Sequence, residues 1–145
     1  MDNLQEAKKL FNETWDLLDK KERTAAEDAL MLHKAHTSCF LWREANSPVN
    51  DARGEWQVSR VYAVLGFGAA ALLHGKISLD ICLKNAIGGF DLVFGYESVA
   101  RAYMVLGDAE QAAEFKKLAI AACDGVEKAE DKDYALSEIN NILPV

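Results

Sequence analysis

The chain has 145 residues, half of them hydrophobic, a formal net charge of −7 and only two prolines, Pro48 and Pro144. This length suits one domain with a real core, and the negative balance, with no Lys/Arg cluster to offset it, excludes a general binder of phosphate backbones. The three cysteines, Cys39, Cys82 and Cys123, are odd in number, far apart and free of Cys-x-x-Cys spacing, which excludes a disulfide framework and a cysteine zinc motif and reads as buried, reduced thiols.

From the N-terminus, Met1 to Glu6 lacks the basic and apolar regions of a signal peptide. Leu4, Ala7, Leu10, Phe11, Trp15 and Leu18 then recur at spacings of three and four, which predicts a helix from Leu4 to Leu18. Lys20 to Arg23 is a polar break, and Thr24-Ala25-Ala26-Glu27 has the form of a capping box that starts a long second helix reaching about Glu44. Ser47-Pro48 predicts the next start, with a capping serine and a proline at the first helical position. That third helix runs to Leu65, Gly66-Phe67-Gly68 turns the chain, and a fourth covers about Ala69 to Lys84. After Gly88-Gly89 a fifth covers about Asp91 to Leu106. Gly107-Asp108 stops it and caps a sixth, with Gln111 in the capping-box position, ending near Glu127. Lys128 to Lys132 reads as a charged connection, and a short last helix, Asp133 to Leu143, precedes Pro144. The fold class is therefore all-α, about seven helices in antiparallel hairpins (about 3–46, 47–87 and 89–127) with a capping helix at about 132–143, in a single domain. Val61 to Leu73, the most apolar stretch, is shorter than the roughly 20 residues of a bilayer span, so the expected setting is the cytoplasm, without a membrane partner.

An offset of 41 residues aligns the third and fourth helices with the fifth and sixth without a gap. Gly54 falls on Gly95, Val58 on Val99, Arg60 on Arg101, Tyr62 on Tyr103, Val64-Leu65-Gly66 on Val105-Leu106-Gly107, Ala71 on Ala112 and Cys82 on Cys123. Carried backwards, the offset sets Trp15 under Trp56 and His33 under His74 in a more diverged first copy. Each unit is a helix pair that cannot bury its apolar face alone, and stacking the pairs buries a shared core.

Tyr103 to Ala112, followed by Phe115 and Ala119, resembles a tetratricopeptide repeat: an aromatic, then Gly-Asp, then Ala, an aromatic and Ala. The copy from Trp56 to Cys82 keeps Tyr62, Gly66 and Ala71 but carries Phe67 for the usual Asp and Ser78 for the last Ala. The chain also resembles small uncharacterised prokaryotic proteins with an Arg-Gly-Glu-Trp-Gln-x-Ser-Arg-Val-Tyr stretch, here Arg53 to Tyr62; that likeness implies no activity. The tetratricopeptide resemblance implies a right-handed superhelix whose first helices line a concave groove. By that resemblance the groove positions are Arg53, Trp56, Arg60 and Val64, then Phe94, Glu97, Arg101 and Val105.

Trp56/Arg60 and Glu97/Arg101 are i,i+4 pairs that share helix faces. Two arginines one repeat apart can grip a carboxylate or phosphate, with Trp56 as an apolar anchor. The competing reading is a structural ladder in which Glu97 neutralises both arginines. On the second helix, His33 and His36 lie near an apolar stripe of Ala26, Ala29, Leu30, Thr37 and Phe40; they offer two metal-ligand types, but no Glu-x-x-His or His-Glu-x-x-His motif accompanies them. Cys39 follows His36 at i,i+3, yet a mid-helix thiol lacks the oxyanion site and electropositive pocket of a nucleophile. The expected function is an interaction module, not an enzyme. It binds a protein or peptide through Arg53, Trp56, Arg60, Glu97 and Arg101, requires no cofactor, and extends to self-association. The alternative is a small metal- or ligand-dependent enzyme built around His33/His36 with Trp42 and Glu55.

Overall fold

The computed structural model describes residues 2–142. Its helices are α1 Asn3–Leu18, α2 Ala25–Glu44, α3 Pro48–Val64, α4 Gly68–Lys84, α5 Gly89–Val105, α6 Ala109–Ala122 and α7 Ala129–Asn140, with a 3₁₀ turn at Cys123–Gly125 after α6. No strand occurs among the described residues, and none of these helices is long and apolar enough to cross a membrane. The fold is all-α: α1/α2, α3/α4 and α5/α6 pack as hairpins, α2 meets α3 and α4 meets α5 to stack them, and α7 closes against α5 and α6.

Local chemistry sets the helix starts. The Thr24 hydroxyl accepts from the Glu27 amide at 3.1 Å while the Glu27 carboxylate accepts from the Thr24 amide at 3.0 Å, completing the capping box. Thr24→Ala should therefore cost about 1 kcal/mol, read as a lower urea midpoint with an unchanged slope; Thr24→Ser should stay near wild type, and equal losses in both would remove the hydroxyl from the account. Asp108 caps α6 by accepting from the Gln111 amide at 3.1 Å. Ser47 occupies the cap before Pro48 but its side chain makes no cap hydrogen bond.

Four boundaries differ from the sequence expectation by more than one residue. Helix α5 starts at Gly89, two residues early, and Gly89, with φ +62°, turns the chain into it. Helix α6 stops at Ala122 rather than near Glu127: the chain tightens into the 3₁₀ turn, then Val126 becomes extended and buries its side chain. The charged stretch expected to be a connection is instead the first turn of α7, where Glu130 and Asp131 suit the positive end of a helix. Helix α7 ends at Asn140, capped by Asn141, short of the expected end at Leu143; the expected stop at Pro144 lies outside the described residues.

The 41-residue offset is a structural period. Both ends of α5 lie 41 residues after those of α3, and Gly66 and Gly107 adopt matching φ values of +86° and +81°. Ala71 and Ala112 are fully buried where each second helix meets its first. In the first two hairpins a serine reaches back to the partner helix: Ser38 Oγ donates to the Ala7 carbonyl and Ser78 Oγ to the Ala52 carbonyl, each at 2.8 Å. Ala119 takes the Ser78 position in the third hairpin and is likewise buried.

Helix α3 is enclosed by α1, α2, α4 and α5, so six consecutive residues, Gly54 to Ser59, are buried irrespective of polarity. Two apolar clusters result. One joins Met31, Ala35, Cys39, Val58 and Val61 between α2 and α3. The other joins Trp56, Val93, Phe94, Ala119, Cys123, Val126, Ala135 and Ile139, tying α7 to the second and third hairpins.

Candidate functional site

The first helices of the three hairpins share one side of the stack, and aromatic side chains gather there. Trp15 of α1 lies 5.6 Å from Trp56 of α3, ring centre to ring centre, and Trp56 lies 5.6 Å from Phe94 of α5. Phe90 continues the row at 4.7 Å from Phe94, and Tyr134 of α7 stacks on Phe90 at 6.2 Å. With Phe11 and Ala52 these rings line a pocket of about 260 Å³. Its charged lining is one ion pair: Arg53 Nε and Nη2 donate to the two oxygens of Asp91 at 2.8 and 3.1 Å. Ligand pockets commonly enclose roughly 300–1,000 Å³, so this one is sized for a single large side chain or a small ligand.

Beyond Trp56 the same face holds a buried ion cluster. Glu97 is fully buried and accepts from Arg60 Nη2 at 3.0 Å, Arg101 Nε at 3.1 Å and Trp56 Nε1 at 3.3 Å. Burial alone would raise the Glu97 carboxyl, but the two guanidiniums outweigh it and hold it below the ordinary carboxylate range. The Arg60 guanidinium also lies over the Trp56 ring at 5.2 Å. Helix α7 completes the cluster: Arg60 Nη1 reaches Glu138 Oε1 at 3.5 Å, and Arg101 Nη2 donates to the Glu138 carbonyl at 3.1 Å. The five expected groove residues thus divide. Arg53 and Trp56 line the pocket, whereas Arg60, Glu97 and Arg101 join one another and clamp α7.

A third polar group lies between α2, α3 and α4. Glu55, 4% exposed, accepts from Arg43 Nη2 at 3.0 Å and pairs with His74 Nδ1 at 2.7 Å. His36 Nε2 shares a hydrogen bond with Tyr62 Oη at 2.8 Å, and its ring meets that of His74 edge-on at 5.5 Å. Burial, then the neighbouring His74, lowers the His36 pKa from its ordinary value. Of the two histidines read from sequence as alternative ligands, His33 is exposed, whereas His36 is partly buried and meets a ring from α4. The expected stripe around these histidines also faces outward, with Leu30 46% and Phe40 60% exposed; α2 buries Met31, Ala35, Ser38, Cys39 and Trp42 instead. Trp42 turns away to pack on Phe11 at 4.9 Å. Cys39 faces Glu55 rather than serving His36 as a nucleophile; burial and the Glu55 charge push its thiol well up, and burial pushes Cys82 up to about 11.

The residues missed from sequence were the aromatic wall, Phe11, Phe90 and Tyr134, and the Glu55–His74 pair. A signal existed for part of the wall, since Phe90 and Phe94 are spaced i,i+4, but the helix expected from about Asp91 left Phe90 just outside it. None existed for Glu55–His74, which is a contact between helices. Comparison with family models, with curated proteins and with solved structures finds no match to this chain.

Proposed function

We propose that the chain is a tetratricopeptide-like interaction module that takes a protein or peptide partner on the face formed by α1, α3, α5 and α7, with one apolar side chain of the partner seated in the aromatic pocket. The observation that carries this reading is the pocket itself: six aromatic rings from four helices around a space of side-chain size, with the Arg53–Asp91 pair beside it to orient a polar flank. Buried aromatic anchors supply most of the affinity in interfaces of this kind. The Arg60–Glu97–Arg101 cluster contributes by holding Trp56 and α7 in place, because its charges already satisfy one another.

Selection from a displayed peptide library should enrich sequences with a Trp, Phe or Leu anchor. Phe90→Ala, at a partly exposed position, should weaken the selected peptides by roughly 30-fold, the loss of a hot-spot contact of about 2 kcal/mol. Peptides that bind Phe90→Ala and Trp15→Ala as tightly as wild type would remove the pocket from the account. Self-association is a second reading, favoured by the exposed apolar side chains Phe40, Phe67 and Leu73, 57–60% accessible; a constant monomer mass by light scattering across a wide concentration range would exclude it.

A further inference from the structure

We propose that Cys39, Asp51, Glu55 and His74 form a binding site for a zinc-class divalent cation between α2, α3 and α4. The Cys39 Sγ and one carboxylate oxygen from each of Asp51 and Glu55 all lie within 4.8 Å of one another. His74 Nδ1 is 2.7 Å from Glu55 Oε2. In a tetrahedral site with bonds of about 2.0–2.3 Å, ligand atoms stand roughly 3.3–3.8 Å apart. The Cys39, Asp51 and Glu55 atoms reach that range by side-chain adjustments of about an ångström, and His74, outside that group of three, moves toward them to become the fourth ligand. A thiolate, an imidazole and two carboxylates select Zn²⁺ or Co²⁺ over Mg²⁺ and Ca²⁺, which prefer all-oxygen shells.

The local fold is built to converge these groups. Gly54 lets α3 lie flush on α2 at Cys39, since a Cβ there would stand 3.0 Å from the Cys39 Cα. Asp51 and Glu55 are i,i+4 on α3 and so share a face. The His74 ring packs against the Tyr62 ring stacked on it at 5.6 Å and the edge-on His36 ring at 5.5 Å, which limit its orientation.

Charge supports the same assignment. Without a cation, two carboxylates share the Arg43 guanidinium, at 3.3 Å to Asp51 and 3.0 Å to Glu55, and that side chain is 53% exposed. Already more than half exposed, it can withdraw to the rim. On binding, the Cys39 thiol releases its proton to solvent, Asp51 and Glu55 bind as carboxylates, and His74 contributes a neutral nitrogen. The metal centre then carries one net negative charge, which Arg43 neutralises from the rim.

The test is titration of untagged protein with Co²⁺. One equivalent should produce tetrahedral ligand-field bands and a thiolate-to-cobalt charge-transfer band, both abolished by Zn²⁺ displacement. The Cys82→Ser/Cys123→Ser double variant should keep the charge-transfer band and Cys39→Ser should lose it. His74→Gln should weaken the metal by at least about tenfold, and His33→Ala, at an exposed position, should leave it unchanged. Absence of a charge-transfer band in wild type overturns the proposal. So does metal affinity unaltered in both Glu55→Gln and His74→Gln with helical circular dichroism intact. If Cys39→Ser does not fold, the wild-type band and the His74→Gln affinity decide.

Discussion

Glu97→Ala is expected to reduce the unfolding free energy by about 3–5 kcal/mol at neutral pH. The carboxylate is fully buried and answers two guanidiniums and an indole N–H. Its removal leaves Arg60, whose side chain is 11% exposed, with the 3.5 Å contact to Glu138 as its one remaining carboxylate partner, and deprives Arg101 of its Nε acceptor. An orphaned buried charge costs more than the pair was worth, since the desolvation of the survivor is no longer offset. Against a typical domain stability of about 5–15 kcal/mol, that is a fifth or more of the total. Glu138→Ala should cost far less, about 1 kcal/mol, because Arg60 keeps Glu97. The pH dependence has a definite sign. Glu97 has a folded pKa held below that of the unfolded chain, so its contribution is complete above the ordinary carboxylate pKa and is lost as pH falls through the lower, folded value. Urea titrations at stepped pH should show a steeper acid decline in wild type than in Glu97→Gln. A Glu97→Ala loss within about 1 kcal/mol, with the same acid decline, would contradict the cluster as drawn.

That cluster also shows where sequence reasoning stops. The i,i+4 spacing of Glu97 and Arg101 places them on one helix face, and the 41-residue offset brings Arg60 beside them. Both the ligand-grip reading and the ion-ladder reading follow from that much. Which applies depends on α7, because Glu138 turns toward Arg60 and offers its carbonyl to Arg101; a contact from a helix 37 residues further on leaves no periodic trace. The hairpins themselves were legible because their signals are local: the Thr24/Glu27 box, Pro48 at a helix start, and Gly66 and Gly107 at stops. Helix α2 was harder. Apolar residues occur all round it, so Leu30 and Phe40 look as buried as Met31 and Cys39, and only packing against α1 and α3 chooses the inner side. The end of α6 was illegible for a related reason. Residues 123–127 fit a helix locally, but burying Val126 in the cluster with Ala135 and Ile139 requires an extended residue there.

Substitution of Gly54 or Gly95 by valine should cost about 3 kcal/mol or more, the upper end for an overpacked core, and separates two kinds of glycine that the repeat aligns equally well. Gly66 and Gly107 are conformational: each has positive φ, and an added Cβ would meet nothing within 4 Å. Alanine there pays only for the left-handed backbone, about 1–2 kcal/mol. Gly54 and Gly95 are steric. Both lie inside helices, where alanine would by propensity gain about 1 kcal/mol. A Cβ on Gly54, however, would stand 3.0 Å from the Cys39 Cα, and one on Gly95 would stand 3.2 Å from the Leu79 Cα. Backbone atoms of a packed helix yield far less readily than the tip of a side chain, so the hairpins must separate. These two glycines therefore set how closely α3 approaches α2 and α5 approaches α4, which makes them the positions at which consecutive hairpins stack. Because the two sites contact different partners, the Gly54→Val and Gly95→Val losses should also add within about 0.5 kcal/mol. Denaturation of the four single variants orders them, with the valine substitutions at 54 and 95 well below the alanine substitutions at 66 and 107. If Gly54→Val unfolded no more easily than Gly66→Ala, the close stacking of the first two hairpins would be wrong, and with it the approach that brings Cys39 to Glu55.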